Sequence, residues 1–298
     1  MTNVWDDVSL ANPHAVSDKR RRVQRMFAAI APSYDLNNRL HTLWMDQSWR
    51  RKAVKLAQLN ATDRVVDVAC GTGDLTLAFF NGLRRADPPG QNSIEPPRRG
   101  ERGEDPEVNR STSSVFSAPS ASVRFNSSVT QVIGIDFTYE MLPIAVAKWM
   151  RTASAQVVPS QSIRFVSGDA QRLPLPDACC DVVSIAFGIR NVADPLAAAR
   201  EFFRILRPGG RLAILEFSQP TNPIFRCLYN FYFKHVLPRT ATWISGDKTG
   251  AYKYLPQSVK TFIGRETMMR MLADAGFQDI TQKPLTFGIC VCYRGFRK

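Results

Sequence analysis

The sequence predicts a doubly wound α/β domain, and three observations carry that prediction. Short β-branched runs alternate with stretches of helical period along most of the chain. The first such run ends in a glycine-rich tight turn that opens a helix, and the chain closes on two strands separated only by a tight turn. Alternation of this kind makes a parallel sheet with helices on both faces. The closing pair adds an antiparallel edge strand, for a seven-stranded, mostly parallel sheet. The chain has 298 residues, of which 44% are hydrophobic. That supplies a full core for one domain over residues 1–298 and excludes wholesale disorder.

In chain order, Val23, Met26, Phe27 and Ile30 recur at helical spacing, so residues 19–31 read as a basic amphipathic helix that Pro32 and Ser33 break. A second helical stretch runs from about Leu36 to Leu59, and residues 1–60 together form an N-terminal helical lid. RVVDVA (64–69) is the first strand, and the helix LTLAFFNGL follows its glycine turn. Residues 85–129 are rich in Pro, Gly, Ser and Arg without apolar period, and read as a disordered surface insertion. Alternation resumes after it in the same style. QVIGID (131–136), SIRFVSGDA (162–170) and DVVSIAFG (181–188) are the next strands. A helix from Pro195 to Leu206 is stopped by Arg207-Pro208-Gly209-Gly210, and RLAILEF (211–217) is the fifth strand. Residues 222–262 are aromatic-rich and partly helical. A helix over 265–275 ends at Gly276, and strands near 279–286 and 288–296 close the chain.

Composition narrows the function. No stretch approaches the ~20 apolar residues that cross a bilayer. The N-terminus has neither an apolar signal core nor the Arg- and Ser-rich character of a transit peptide, so a cytoplasmic address is expected. The six cysteines form no CxxC pair and no metal-ligand spacing with histidine, which predicts no metal site. Cys290 and Cys292 alternate in an apolar run and read as small hydrophobes on one strand face. The net charge of +13 fits nucleic acid or an anionic surface, and part of it sits in Lys19, Arg20, Arg21, Arg22 and Arg25. Such a run is either a solvated helix face or a docking element.

The chemistry gathers at the carboxyl ends of the strands, where open α/β sheets bind ligands. Asp67, Gly71, Thr72 and Gly73 belong to the turn D-x-A-x-G-T-G between the first strand and its helix. Glycine there lets the backbone approach a ligand. A third glycine is missing (Leu75 and Thr76 stand there), so a dinucleotide fingerprint fails, and the spacing instead resembles the nucleoside-binding turn of Rossmann-like methyltransferases. Asp136 ends the second strand, where a carboxylate can accept from both ribose hydroxyls or cap a helix. Asp169 and Ala170 leave the third strand, where a carboxylate can accept from an adenine amino group. The fourth strand exits through Phe187-Gly188-Ile189-Arg190-Asn191. It carries no Pro-Pro-aromatic motif, which argues against an exocyclic amine as methyl acceptor. Cys179 and Cys180 precede the strand and are poor nucleophiles for pyrimidine chemistry.

FAAIAPSYDLNNRL (27–40), VVDVACGTGDLT (65–76), SIAFGIRNVADPLAAARE (184–201), FFRILRPGGRLAILEFSQP (202–220) and AYKYLPQSVKTF (251–262) together resemble the ubiquinone/menaquinone C-methyltransferase family. The resemblance covers roughly residues 19–298 apart from the 85–129 insertion. It implies a Rossmann-like class I methyltransferase fold, S-adenosylmethionine as co-substrate, and a polyprenylated quinol as acceptor. The family's cofactor contacts fall on Thr72, Asp136, Asp169 and Ala170. Where the family commonly has a serine two residues after Ser184, this chain has Ala186 and lacks that hydroxyl. The implied reaction is C-methylation of demethylmenaquinol, with a ubiquinone-precursor benzoquinol as the alternative and RNA methylation as a more distant one.

A ring carbon attacks a sulfonium methyl once an ortho hydroxyl is ionised. Arg190 is the candidate for holding the phenolate by charge-assisted hydrogen bonds, and Asn191 for orientation. The competing readings are a surface ion pair for Arg190 and a helix cap for Asn191. Tyr34 and Asp35 can close over the cofactor or act on the substrate hydroxyl, or serve as a helix-boundary aromatic and an Asp cap. His41 is a candidate base and His235 lies among aromatics. The aromatic 222–262 segment suits either a polyprenyl tail or ordinary core, and the basic N-terminal helix suits an anionic lipid surface.

Overall fold

Strands covered on both faces read as unbroken apolar runs rather than alternating ones. β1 (Val65–Val68) and β3 (Val132–Asp136) are buried at every position, and β5 (Cys180–Ala186) at most. These three form the centre of the sheet, with β4 (Ile163–Ser167) beyond β3, and β6 (Leu206–Phe217), β8 (Cys290–Phe296) and β7 (Gln278–Leu285) on the other side. The computed structural model describes residues 4–86, 116–117, 124–125, 130–156, 158–247 and 249–298. A two-residue strand, β2 (Phe116–Ser117), completes the order β2-β4-β3-β1-β5-β6-β8-β7. The chain builds outward from β1 through β3 to β4, then returns to β5 on β1's other flank. That reversal opens a crevice at the carboxyl end of β1.

The antiparallel member is β8, which lies between β6 and β7 and runs against both. The tight turn dictates this: β7 sits on the outside, and the last strand fills the gap beside β6. Helices α4 (Met45–Leu56), α5 (Asp74–Ala86) and α6 (Leu142–Gln156) cover one face, where Phe79, Trp149 and Phe165 pack. On the other face, α7 (Pro195–Ile205) and α11 (Arg265–Asp274) bury Phe202 and Leu272 against β5 and β6. A third cluster joins the two ends of the chain above the strand ends. Trp5, Met26 and Ile30 pack with Leu237, Ala241, Tyr252 and Tyr254, and the Trp5 and Tyr254 rings stack at 4.4 Å. The cluster brings α2 (Lys19–Ile30) together with α9 (Leu237–Ser245) and α10 (Ala251–Thr261).

Three expectations are adjusted. The helix anticipated over 36–59 is two, α3 (Tyr34–Thr42) and α4, because Leu43 and Trp44 adopt φ of 50° and 59° and turn the chain. A short α1 (Asp7–Ala11), capped by Asp6, precedes the basic helix. The insertion expected over 85–129 lies mostly outside the described residues, but α5 continues through Ala86, Phe116 and Ser117 pair with Phe165 and Val166, and Phe125 is buried beneath Arg64. Cys290 and Cys292 are buried against Trp49 and Leu215, as their alternation predicts.

At the exit of β5, a Cβ on Gly188 would stand 2.6 Å from the Ala69 Cβ and 3.0 Å from Ile185. Neither neighbour has a flexible end that can withdraw. Gly188→Ala is expected to destabilise the fold by roughly 1–3 kcal/mol, measured as a lower midpoint of chemical denaturation.

Candidate active site

The turn after β1 is built from backbone conformations that L side chains avoid: Ala69, Gly71 and Gly73 have φ of 51°, 54° and 82°. The two glycines serve different ends. A Cβ on Gly71 would meet nothing within 4 Å, so open space faces this backbone. A Cβ on Gly73 would press on Ala145 at 3.1 Å and on the Phe165 ring at 3.3 Å, so this glycine lets α5 approach α6 and β4. The Gly71 N–H donates to Asp136 Oδ2 at 2.7 Å, and the Thr138 N–H donates to Asp136 Oδ1 at 2.7 Å. Burial outweighs these two bonds and pushes the Asp136 carboxyl up to about 6.

A cavity with about 780 Å³ of empty space, counting the part open to solvent, lies over this turn. Of the residues read from the sequence, Gly71, Asp136, Asp169, Ala170 and Asn191 line it. Phe137 and Met141 supply apolar wall, and α2 and α3 contribute Arg20, Val23, Phe27 and Tyr34. Each oxygen of Asp136 keeps acceptor capacity beyond its backbone bond. Asp169 accepts from the Gln171 N–H at 3.0 Å and pairs with Arg20 at 3.1 Å.

Asp67, Thr72 and Gly73 do not line the cavity. Asp67 lies level with Ser184 on β5, and its two oxygens accept from Ser184 Oγ at 2.7 Å and Thr76 Oγ1 at 2.6 Å. This buried carboxyl, raised to about 6 by desolvation, ties β1 to β5 and α5 and positions the turn from below. Thr72 donates to Asp35 Oδ1 at 2.5 Å. Lys148 bridges Asp35 and Asp74, so α3 is latched to the turn by a small ionic cluster.

Arg190 lies in a second cavity, next to the first and sharing Phe27, Tyr34 and Phe187 as its wall. The pair anticipated for Arg190 at the surface is instead buried. Arg190 meets Glu216 Oε1 at 2.5 Å, with side chains 4% and 2% exposed, and also donates to the Phe187 carbonyl at 2.8 Å. Asn191 is not a helix cap; Asp194 caps α7. The Asn191 amide donates to the Phe187 carbonyl at 3.1 Å and accepts from the Tyr254 hydroxyl at 2.9 Å. Both ends of the amide are therefore fixed, which holds its orientation in the wall of the first cavity. Tyr34 lies in the shared wall, and burial raises its hydroxyl above the ordinary tyrosine range.

The second cavity also contains Asn38, Thr42, Asp46 and Arg50 on α3 and α4, and Phe217, Tyr252 and Tyr254. Sequence reasoning missed Glu216, Asp46 and Arg50. Glu216, inside an apolar strand, was the detectable signal, since an acid there requires a partner. Neither His41 nor His235 reaches either cavity. The His41 ring meets the Tyr232 hydroxyl at 2.9 Å, and His235 is exposed on an irregular turn of helix. The basic run is a free face only in part: Arg21 and Arg25 are exposed, but the others are engaged. Lys19 is buried, donates to the Val192 carbonyl at 2.6 Å, and is pushed down to about 8 by desolvation, while Arg22 pairs with Asp18 at 2.7 Å.

A crevice at a reversal of strand order, a glycine turn that leaves space for a ligand, and acids leaving the next two strands define an S-adenosylmethionine-dependent methyltransferase of the α/β class. Residues 15–297 match the ubiE/COQ5 methyltransferase family, and the chain belongs to it. It is 38% identical over 281 residues to the demethylmenaquinone methyltransferase of Deinococcus radiodurans, covering 94% of this chain and 95% of the relative. It is 39% identical over 272 residues to the demethylmenaquinone methyltransferase of Thermus thermophilus, covering 91% and 100%. With the ubiquinone/menaquinone biosynthesis C-methyltransferase UbiE of a Geobacter species it shares 36% over 282 residues, covering 95% and 99%. A crystal structure of a SAM-dependent methyltransferase from Thermotoga maritima has the same fold, with a TM-score of 0.52 at 17% identity over 93% of this chain and all of that one.

Free Asp136 takes up a proton below about 6, whereas hydroxyl donors select its ionised form. Calorimetric affinity for S-adenosylmethionine is therefore expected to fall by up to about tenfold per pH unit below 6. Asp136→Asn should bind weakly with this pH dependence removed. An unchanged affinity in the variant takes Asp136 out of the site.

Proposed function

We propose that the protein transfers the methyl group of S-adenosylmethionine to a ring carbon of demethylmenaquinol. The observation that carries the reading is the pair of adjoining cavities: one over the glycine turn, and one walled by aromatic and aliphatic side chains and holding Arg190. Residues of the first fit the co-substrate. Open space at Gly71 admits a ligand against the backbone, Asp136 offers acceptors to the ribose, Asp169 and Ala170 lie where the adenine would rest, and Phe137 and Met141 give it apolar walls. Asp67, Thr72 and Gly73 act behind them by setting the shape of the turn.

When bound, S-adenosylmethionine supplies an electrophilic methyl on a sulfonium. The chain's own residues prepare the acceptor. Phe27, Ile30, Phe187 and Phe217 exclude water from the ring. Arg190 stabilises the oxygen ortho to the attacked carbon as it ionises, which places electron density on that carbon. Glu216 holds the guanidinium in position. Asn191, fixed by Phe187 and Tyr254, orients the acceptor from the co-substrate side. Loss of the ring proton restores aromaticity after transfer.

The acceptor partitions into bilayers, and we place the contact with an anionic membrane on α8 (Pro223–Phe231) rather than on the basic helix. Ile224, Leu228 and Phe231 share one helix face and are 70%, 61% and 62% exposed, and α9 adds Trp243. Arg226, Lys234, Arg239 and Lys253 are exposed around them. Among the described residues, no helix is long and apolar enough to cross a membrane, so contact on this reading is peripheral.

Purified protein supplied with labelled S-adenosylmethionine should methylate demethylmenaquinol. Transfer to the demethylated benzoquinol alone would assign it to the ubiquinone branch instead. Arg190→Lys keeps the charge beside Glu216 but loses the forked donor set; kcat should drop about 10²-fold while calorimetric affinity for S-adenosylmethionine stays the same. Co-sedimentation with vesicles containing phosphatidylglycerol should weaken in the Leu228→Asp, Phe231→Asp double variant, and equal binding would remove α8 from the membrane contact.

A further inference from the structure

The second cavity contains two guanidinium groups, and the reaction as described uses one. Arg50 projects from α4 one turn after Asp46, and both side chains are buried, at 9% and 3% exposed. Arg50 Nη1 donates to Asp46 Oδ2 at 3.2 Å, and Asp46 also accepts from the Thr42 hydroxyl and the Gln47 amide. Arg50 Nε, in contrast, is buried with no hydrogen-bond partner among the described residues. A buried charged donor without an acceptor is unfavourable, and such groups are where ligands supply the missing partner.

The two cations occupy corresponding places around the aromatic floor. Arg50 lies over the Phe187 ring at 5.4 Å, Arg190 lies over the Phe217 ring at 5.4 Å, and those two rings are 4.5 Å apart. Both guanidinium groups line the second cavity and not the first; Arg190 is next in sequence to Asn191, which lines the co-substrate cavity. Each has its own carboxylate, Glu216 or Asp46, so each presents an N–H donor rather than an uncompensated charge.

We infer that Arg50 binds the second ring oxygen of the acceptor, the one Arg190 does not hold, and so makes the site selective for rings with two oxygens. This rests on the reading of the second cavity as the acceptor site. A hydroquinol carries two oxygens para to one another. The oxygen ortho to the reacting carbon goes to Arg190, and the other accepts from Arg50 Nε–H. A monohydroxy ring leaves that donor buried and unpaired, and a site built to hydrogen-bond a hydroxyl rejects analogues that lack it.

The test compares a hydroquinol acceptor with the monohydroxy analogue of the same ring, in wild type, Arg50→Gln and Arg50→Lys. Wild type should prefer the hydroquinol in kcat/KM by at least tenfold. In Arg50→Gln that preference should shrink at least fivefold, mainly through a raised KM for the hydroquinol, and Arg50→Lys should recover part of it. Calorimetry with S-adenosylmethionine checks that each variant is folded. A wild type indifferent to the second oxygen overturns the inference whatever the variants do. Equal slowing of both acceptors in Arg50→Gln overturns it too, and leaves Arg50 as a structural partner of Asp46. Failure of wild type to methylate either acceptor is a different result, which sinks the functional reading itself.

Discussion

Two buried carboxyl groups hold the site in shape. Asp67 in β1 and Asp136 at the end of β3 flank the turn that follows β1, and each is held by donors from other elements: Ser184 and Thr76 for Asp67, Gly71 and Thr138 for Asp136. Desolvation raises both toward neutrality. An unpaired carboxylate at such a depth is not tolerated, so the hydroxyls and amide groups around it are constrained as tightly as the acid. The constraint reaches outward from there. Gly71 is fixed by Asp136, the turn carries Thr72, and Thr72 with Lys148 and Asp74 anchors Asp35 of α3.

The helical layer over the strand ends follows from that anchoring. α2 and α3 lie across the strand ends and meet α9 and α10, which come from the far end of the chain. The basic residues expected to face solvent or lipid are partly spent on this closure. Lys19 reaches the Val192 carbonyl, Arg20 reaches Asp169, and Arg22 reaches Asp18. The exposed Arg20 contact with Asp169 is weak in water, as surface pairs are. The apolar face left outside belongs to α8, a helix anchored by Tyr229 and by the stack of Phe225 on Phe287.

The buried Arg190–Glu216 pair sits between these layers. Removing one partner of such a pair commonly costs about 3–5 kcal/mol because the other charge is left stranded. On the proposed reading of Arg190, that setting fixes the cation before any acceptor arrives, which is the requirement for stabilising charge that develops only during reaction. The Phe187 carbonyl receives both Arg190 and Asn191, so a single backbone position at φ of 56° organises the two residues.

The sequence by itself determined the sheet, the direction of its strands, the glycine turn, and the acids at the ends of β3 and β4, because these depend on local pattern: buried runs, turn residues, and a carboxylate placed where a strand ends. It also singled out Arg190 and Asn191, through the resemblance that their motif carries. Only the tertiary structure decided what these groups touch. Asp67 and Asp136 look alike in sequence, yet one is enclosed by hydroxyls within the sheet and the other faces a cavity. Arg190 and Glu216 are 26 residues apart, and Arg50 and Phe187 are farther still. Nothing in local periodicity relates such residues. Their pairing arises from strand register and helix packing, which are properties of the folded chain as a whole.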